Sequence, residues 1–319
     1  MATGGDMKSA QPAFWHIERR GNFGDVHIPK DIPTIPAMSS DAERRYYYWL
    51  ARQFSGKGAV VEIGPWLGAS TAYIAAGIRD SGVPARVKVF DRFLWRAGAG
   101  WESKVVERRS SGESFCEEFK ANLGPLLDFV DAHETDIKEI CWDSGDVELL
   151  FLDAPKRTRD ISKILTTFGP TMIPGHSIMV WQDFGHFPSY AILASLSRLG
   201  NMVEPIHVIE PGSAVGFRVK EQWPSDLVSE KALDLQCWTP EQIDSVWQQW
   251  MSILPEDKKT LFLCGAAMFL YDIGHVQLAQ ERLRELLSRR DEKVTKKWRH
   301  LAKTNLVQRY PQLFEEFLE

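Results

Sequence analysis

Apolar positions along this chain fall into short runs that alternate with stretches of helical period. Residues 59–63 form a largely β-branched run ending in a glycine turn, and residues 70–78 carry helix formers directly behind it. The unit then recurs. Residues 86–90 end at Asp91, residues 127–133 form a further strand, and residues 147–152 are an apolar run ending at Asp153. Residues 177–181 follow Pro174-Gly175 and end at Gln182-Asp183, while residues 203–209 and 214–220 flank Pro211-Gly212 as a hairpin would. Ahead of the first strand, Ser40-Asp41-Ala42-Glu43 reads as a capping box that starts a helix running to about Gln53. Strands alternating with helices predict an α/β fold, a doubly wound and mostly parallel seven-stranded sheet with a closing antiparallel hairpin.

The ends of the chain follow other rules. Residues 1–37 show no period and carry Pro29, Pro33 and Pro36, which predicts an N-terminal arm. After Trp223 the strand signals stop. Thr239-Pro240-Glu241-Gln242 is a helix start, and Ile243, Val246, Trp247, Trp250, Met251 and Leu254 form an i, i+3, i+4 stripe. Leu263 to Leu270, Gly274, Ala279, Leu283 and Leu286 loosely resemble a single tetratricopeptide helix hairpin with no second copy. The expected organisation is a sheet domain over residues 38–223 and a small all-α domain or cap over residues 224–319.

Composition narrows the function. With 44% hydrophobic and 25% charged residues in 319, the chain can bury a core. A net charge of −5 and the lack of interleaved basic and aromatic residues argue against a nucleic-acid partner. Cys116, Cys141, Cys237 and Cys264 form no C-x-x-C pair, so no zinc or redox site is expected and a reduced, cytoplasmic interior fits. The N-terminus lacks a signal-peptide core, and no apolar run is long enough to span a bilayer, so no membrane association is expected. Self-association into a homo-oligomer stays open.

Glu62-Ile63-Gly64-Pro65-Trp66-Leu67-Gly68-Ala69-Ser70-Thr71 carries the candidate chemistry. In a dinucleotide fingerprint, Trp66 and Ala69 would occupy glycine positions, and Trp66 would block the phosphates. A P-loop needs a lysine after the second glycine, where this chain has Ala69. What remains is E-x-G-x-x-x-G, and this segment resembles motif I of class I S-adenosylmethionine-dependent methyltransferases. It is most similar to the V-E-I-G-x-x-x-G-x-S-T form of the macrocin O-methyltransferase-like enzymes. The resemblance covers roughly residues 38–221 and implies that Glu62, Gly64, Pro65, Gly68, Ser70 and Thr71 shape the S-adenosylmethionine site. Glu62 would anchor either the turn or the cofactor ammonium group. Asp91 would accept from the ribose hydroxyls, and Asp136, within a register of a residue or two, from the adenine amino group. The stretch after Asp91 resembles a mobile loop of these enzymes; Gly98, Gly100, Ser110, Ser111 and Gly112 loosen it, and Trp95 and Trp101 would cover a ligand.

Leu150-Phe151-Leu152-Asp153-Ala154-Pro155-Lys156 resembles the D-x-x-K segment of catechol O-methyltransferase. The resemblance implies a magnesium ion on Asp153, Gln182 and Asp183, with Lys156 as general base. Gln182 departs from the acidic residue usual there. Without a metal, His186 is the alternative base, since imidazole titrates near neutrality. The implied activity is methyl transfer to a hydroxyl of a small molecule, a saccharide or secondary metabolite. Two rivals stay open: a catalytically decayed cofactor-binding protein with a helical interaction module, and a different enzyme on the same fold.

Overall fold

The computed structural model describes residues 17–18, 23–97, 104–105, 109–186, 189–254, 256–288 and 310–314. Most of the expected N-terminal arm lies outside them. So do Gly98, Gly100 and Trp101 of the expected lid.

Seven strands form one sheet: β1 Ala59–Ile63, β2 Val87–Asp91, β3 Val130–Glu134, β4 Val147–Leu152, β5 Ile178–Trp181, β6 Val203–Val208 and β7 Val215–Val219. Their order is β3-β2-β1-β4-β5-β7-β6. The first five run parallel, and β7 enters antiparallel between β5 and β6. This is the doubly wound sheet with a closing hairpin that the resemblance to class I methyltransferases implies. The chain winds outward from β1 through β2 to β3, then returns to β4 beside β1. A crevice therefore opens outside the carboxyl ends of β1 and β4, where ligands bind in open α/β sheets.

One sequence boundary moved. Residues 127–129 belong to the 3-10 turn Gly124–Phe129, and β3 starts only at Val130. The apolar run of β4 also contains one carboxylate. Glu148 is buried, yet it accepts from the Ser55 and Lys57 backbone N–H groups at 2.7 and 2.9 Å, so its charge is solvated by the chain.

Helices cover both faces. α1 Asp41–Arg52, α2 Ala69–Ser81 and α3 Cys116–Leu123 pack on one side, with Tyr46, Ile74 and Phe119 fully buried. α4 Thr158–Phe168 and α5 Tyr190–Leu199 pack on the other. The capping box at α1 forms as expected, Ser40 accepting from Glu43 N–H while Glu43 reaches back to Ser40 N–H.

Beyond the sheet, α6 Pro240–Met251, α7 Glu256–Asp272 and α8 Val276–Ser288 make up the helical region. Its apolar side chains belong to the same core as the sheet's second face. Trp250 lies edge-on to Phe184 and Phe217, with ring centroids 5.3 and 5.9 Å away, and its indole N–H donates to Ser197 Oγ at 2.7 Å. The far edge of the sheet is covered too. Glu18 pairs with the outer side of β6, Glu18 N–H donating to Ile206 O at 2.9 Å. Among the described residues, no helix is long and apolar enough to cross a membrane.

Candidate functional site

The turn after β1 is built around Glu62. The side chain is 3% exposed, and its two oxygens accept from Ser70 Oγ at 2.5 Å and Thr71 Oγ1 at 2.6 Å. Glu62 therefore anchors the start of α2 to the end of β1, the first of its two expected roles. Burial pushes its carboxyl up to about 7, against the pull of the two hydroxyls. Gly64 has φ +86°, and a Cβ there would stand 2.5 Å from Ala154 Cβ and 2.7 Å from Ala154 N. The approach of the β1 and β4 ends by itself requires the glycine. At Gly68, φ +97°, a Cβ would press on the Phe119 ring at 3.1 Å. Pro65 O accepts from Gly68 N–H at 3.0 Å and closes the turn.

Asp91 stands at the end of β2, where Phe93 N–H donates to its Oδ1 at 2.7 Å and the backbone N–H groups of Trp66 and Arg92 also point to it. Burial raises its carboxyl to about 6, and these three donors hold it back from rising further. Trp66 reaches it with φ +49°, an uncommon conformation for a bulky residue, which ties the motif I turn to the second strand. Asp136 starts the 3-10 turn Ile137–Glu139, accepting from Lys138 N–H at 3.0 Å, with Arg92 Nε 3.7 Å from its other oxygen.

The ends of β4 and β5 bring together the remaining candidates. The Lys156 ammonium is ion-paired with Asp183 and lies 3.7 Å from Asp153 Oδ1. Burial works against its charge, but the two carboxylates outweigh that and hold it protonated up to about 12. Burial pushes the Asp153 carboxyl upward, with Lys156 opposing. Gln182 Oε1 accepts from Tyr47 OH at 2.9 Å. These residues do not fit a magnesium ion: a lysine ammonium stands against both carboxylates where the ion would sit, and the amide oxygen is turned to a tyrosine. Among the described residues, no cluster of three or more potential ligands is present. Nor does a lysine held protonated suit the general-base role that the sequence suggested. His186 follows on the same loop, its backbone N–H donating to Asp183 O at 3.1 Å and its Nδ1 3.4 Å from Ser189 Oγ.

Three cavities meet here. A central one of about 660 Å³ is lined by Gly64, Asp91, Asp153, Lys156, Gln182, Asp183 and His186. A second, of about 860 Å³, runs from Asp91 and Lys156 over the ends of β2 and β3 to Asp136. A third, of about 970 Å³, extends from Lys156 and His186 to the helical region, where Tyr190 stacks on Phe269 with centroids 4.8 Å apart. Lys156 lines all three. Glu62, Pro65, Gly68, Ser70 and Thr71 line none of them and act from behind, by shaping the turn.

The expected lid has an ordered base. Trp95 is 2% exposed, its backbone pairs with Glu113 O at 2.7 Å and Gly112 N at 2.9 Å, and it belongs to the core while lining the β2–β3 cavity. Glu43 is a site residue that the sequence revealed only as a cap. Besides Ser40, it accepts from Ser213 and Ala214 N–H groups at 2.7 and 3.1 Å, pinning the β6–β7 turn against the central cavity. Nothing in its local sequence signals that second partnership. Tyr47 was likewise hidden in a helix of aromatic residues.

No family model matches this chain, and no curated protein matches it. Among solved structures, the O-methyltransferase NovP is 18% identical, with a TM-score of 0.48 over 59% of this chain and 84% of its own. The mitomycin 7-O-methyltransferase MmcR is 14% identical, with a TM-score of 0.33 over 56% of each chain. Likenesses this remote add nothing to what the sheet order and the cavities show by themselves.

Proposed function

We propose that this chain is an S-adenosylmethionine-dependent O-methyltransferase acting on a hydroxyl of a small molecule. The observation that carries the reading is the convergence of Asp91, Asp153, Lys156, Asp183 and His186, spread over almost a hundred positions, on one cavity at the switch point of the sheet. The donor set suits the cofactor. Asp91, braced by three backbone N–H groups, presents its carboxylate at the boundary of two cavities, as a ribose diol requires. Asp153 and Asp183 together exceed the single charge of Lys156, and that excess negative charge would suit a cationic sulfonium in the central cavity.

When bound, the cofactor supplies an electrophilic methyl group. The chain's own residues supply position and proton transfer. His186, at the junction of the central and cap cavities, takes the proton from the acceptor hydroxyl. The Lys156 ammonium stabilises the oxygen as negative charge develops on it, and Asp153 and Asp183 keep that ammonium in place.

Isothermal titration with S-adenosylhomocysteine tests the reading. Asp91→Ala is expected to weaken binding by roughly 1–3 kcal/mol, the cost of stranding hydrogen-bonded hydroxyls. The diol needs the ionised acceptor, so wild-type affinity should hold above pH 6 and decline as pH falls through about 6, the value to which burial raises Asp91. Failure of the wild type to bind, or unchanged affinity in the variant, overturns it.

A further inference from the structure

The wall shared by the cap cavity and the β2–β3 cavity carries three cationic side chains, Arg96, Lys156 and Arg157. Lys156 is neutralised by Asp153 and Asp183. The two guanidinium groups are different. Neither Arg96 nor Arg157 has a carboxylate partner among the described residues, whereas Arg92 and Arg159 on the same cavity lie 3.7 and 3.5 Å from Asp136 and Asp160. Both are exposed and line the same two cavities. The cap cavity is also lined by Glu230, Asp234 and Asp272 and by Tyr190, whose ring stacks on Phe269.

Two guanidiniums that line the same cavities, without a carboxylate partner among the described residues, suit the charge and acceptor oxygens of a carboxylate or phosphate. The acids that line the cavity suit hydroxyl donors, and its aromatic side chains suit the apolar face of a ring. We infer that the cap cavity takes an acceptor bearing an oxyanion, a carboxylate or a phosphate, which Arg96 and Arg157 hold while a hydroxyl of the same molecule reaches Lys156 and His186. The inference rests on the methyltransferase reading for what happens to that hydroxyl, but the oxyanion site itself does not depend on it. The acceptor is thus the product of a reaction that phosphorylates or oxidises a hydroxylated precursor.

Matched probes distinguish the sources. Glucose 6-phosphate, glucuronate and glucose are titrated into the full chain, each with and without saturating S-adenosylhomocysteine, and the titrations are repeated with Arg96→Ala, Arg157→Ala and the double variant. At least one of the two acids should bind more tightly than glucose, and each single variant should weaken that acid by about tenfold, the worth of one charge-assisted contact. Glucose should respond little to either variant, and the melting temperature should be unchanged, since these exposed side chains support no packing. A preference for the phosphate or for glucuronate names the oxyanion. Equal binding of glucose and the acids, acid binding that survives the double variant, or no binding of either acid overturns the inference. Acid binding that depends on the arginines in a protein that does not bind S-adenosylhomocysteine would sink the methyltransferase reading and leave the oxyanion site standing.

Discussion

The ammonium of Lys156 is ion-paired with Asp183 while standing 3.7 Å from Asp153, so one lysine bridges the carboxyl ends of β4 and β5. The geometry gives the positive charge of the site to the protein itself. Turnover should therefore be indifferent to chelator and to added magnesium. Lys156→Met should lower the rate by about 10²–10³-fold, as loss of one preorganised charge does, with much less effect on S-adenosylhomocysteine affinity. Chelation that abolishes wild-type turnover would show that a metal displaces the lysine.

Gly64 and Gly82 both have positive φ, +86° and +75°, but a Cβ at Gly64 meets Ala154 at 2.5 Å and one at Gly82 meets nothing within 4 Å. Replacing each by alanine separates backbone strain from collision. Gly82→Ala should cost about 1 kcal/mol for the left-handed conformation alone. Gly64→Ala should cost a further 1–3 kcal/mol or so from overpacking against the end of β4. Chemical denaturation of the two variants decides it; equal losses would mean the β4 end yields freely.

Glu62 gives a stability signature against pH. Its folded carboxyl is raised to about 7 from 4.5, so the folded state prefers the protonated form. That preference is fully present below pH 4.5 and is lost as pH rises towards and past 7, at up to about 1.4 kcal/mol per pH unit. Glu62→Gln keeps a polar partner for Ser70 and Thr71 without the titration. Urea denaturation from pH 4.5 to 7.5 should show a smaller fall in stability for Glu62→Gln than for the wild type. Parallel profiles would show that Glu62 does not titrate there.

Trp250, 1% exposed, joins the helical region to the sheet through Phe184 and Phe217. A chain ending at Trp223 would keep α4 and α5 on that face but would uncover Phe184, Phe217 and the outer side of α5, where Trp250 packs. It should be insoluble or lose its cooperative melting transition, and Trp250→Ala in the full chain should cost about 3–5 kcal/mol. A truncated protein that melts like the full chain would make residues 224–319 a separable cap.

The strands and their order of appearance were legible because β-branched runs, terminal acids and glycine turns act over a few residues. Ser40 and Glu43 announced α1 in the same way, and the Glu62, Gly64, Gly68 and Asp91 spacing carried the resemblance that located the crevice. Each of these features depends on neighbours close in the chain or on a fixed strand-turn-helix spacing.

The tertiary structure decided what those residues do. Glu62 could have faced a ligand or a helix; packing of α2 against β1 put Ser70 and Thr71 on both its oxygens. Lys156 could have been a base or a solvated charge; it became a bridging cation because β5 lies beside β4 and brings Asp183 from 27 positions away. Glu43 was a cap by sequence and became a brace for the β6–β7 turn because that turn folds back over α1. Charge state and hydrogen-bond partners depend on through-space distance and on the exclusion of water, and a linear pattern specifies neither until the sheet has closed around them.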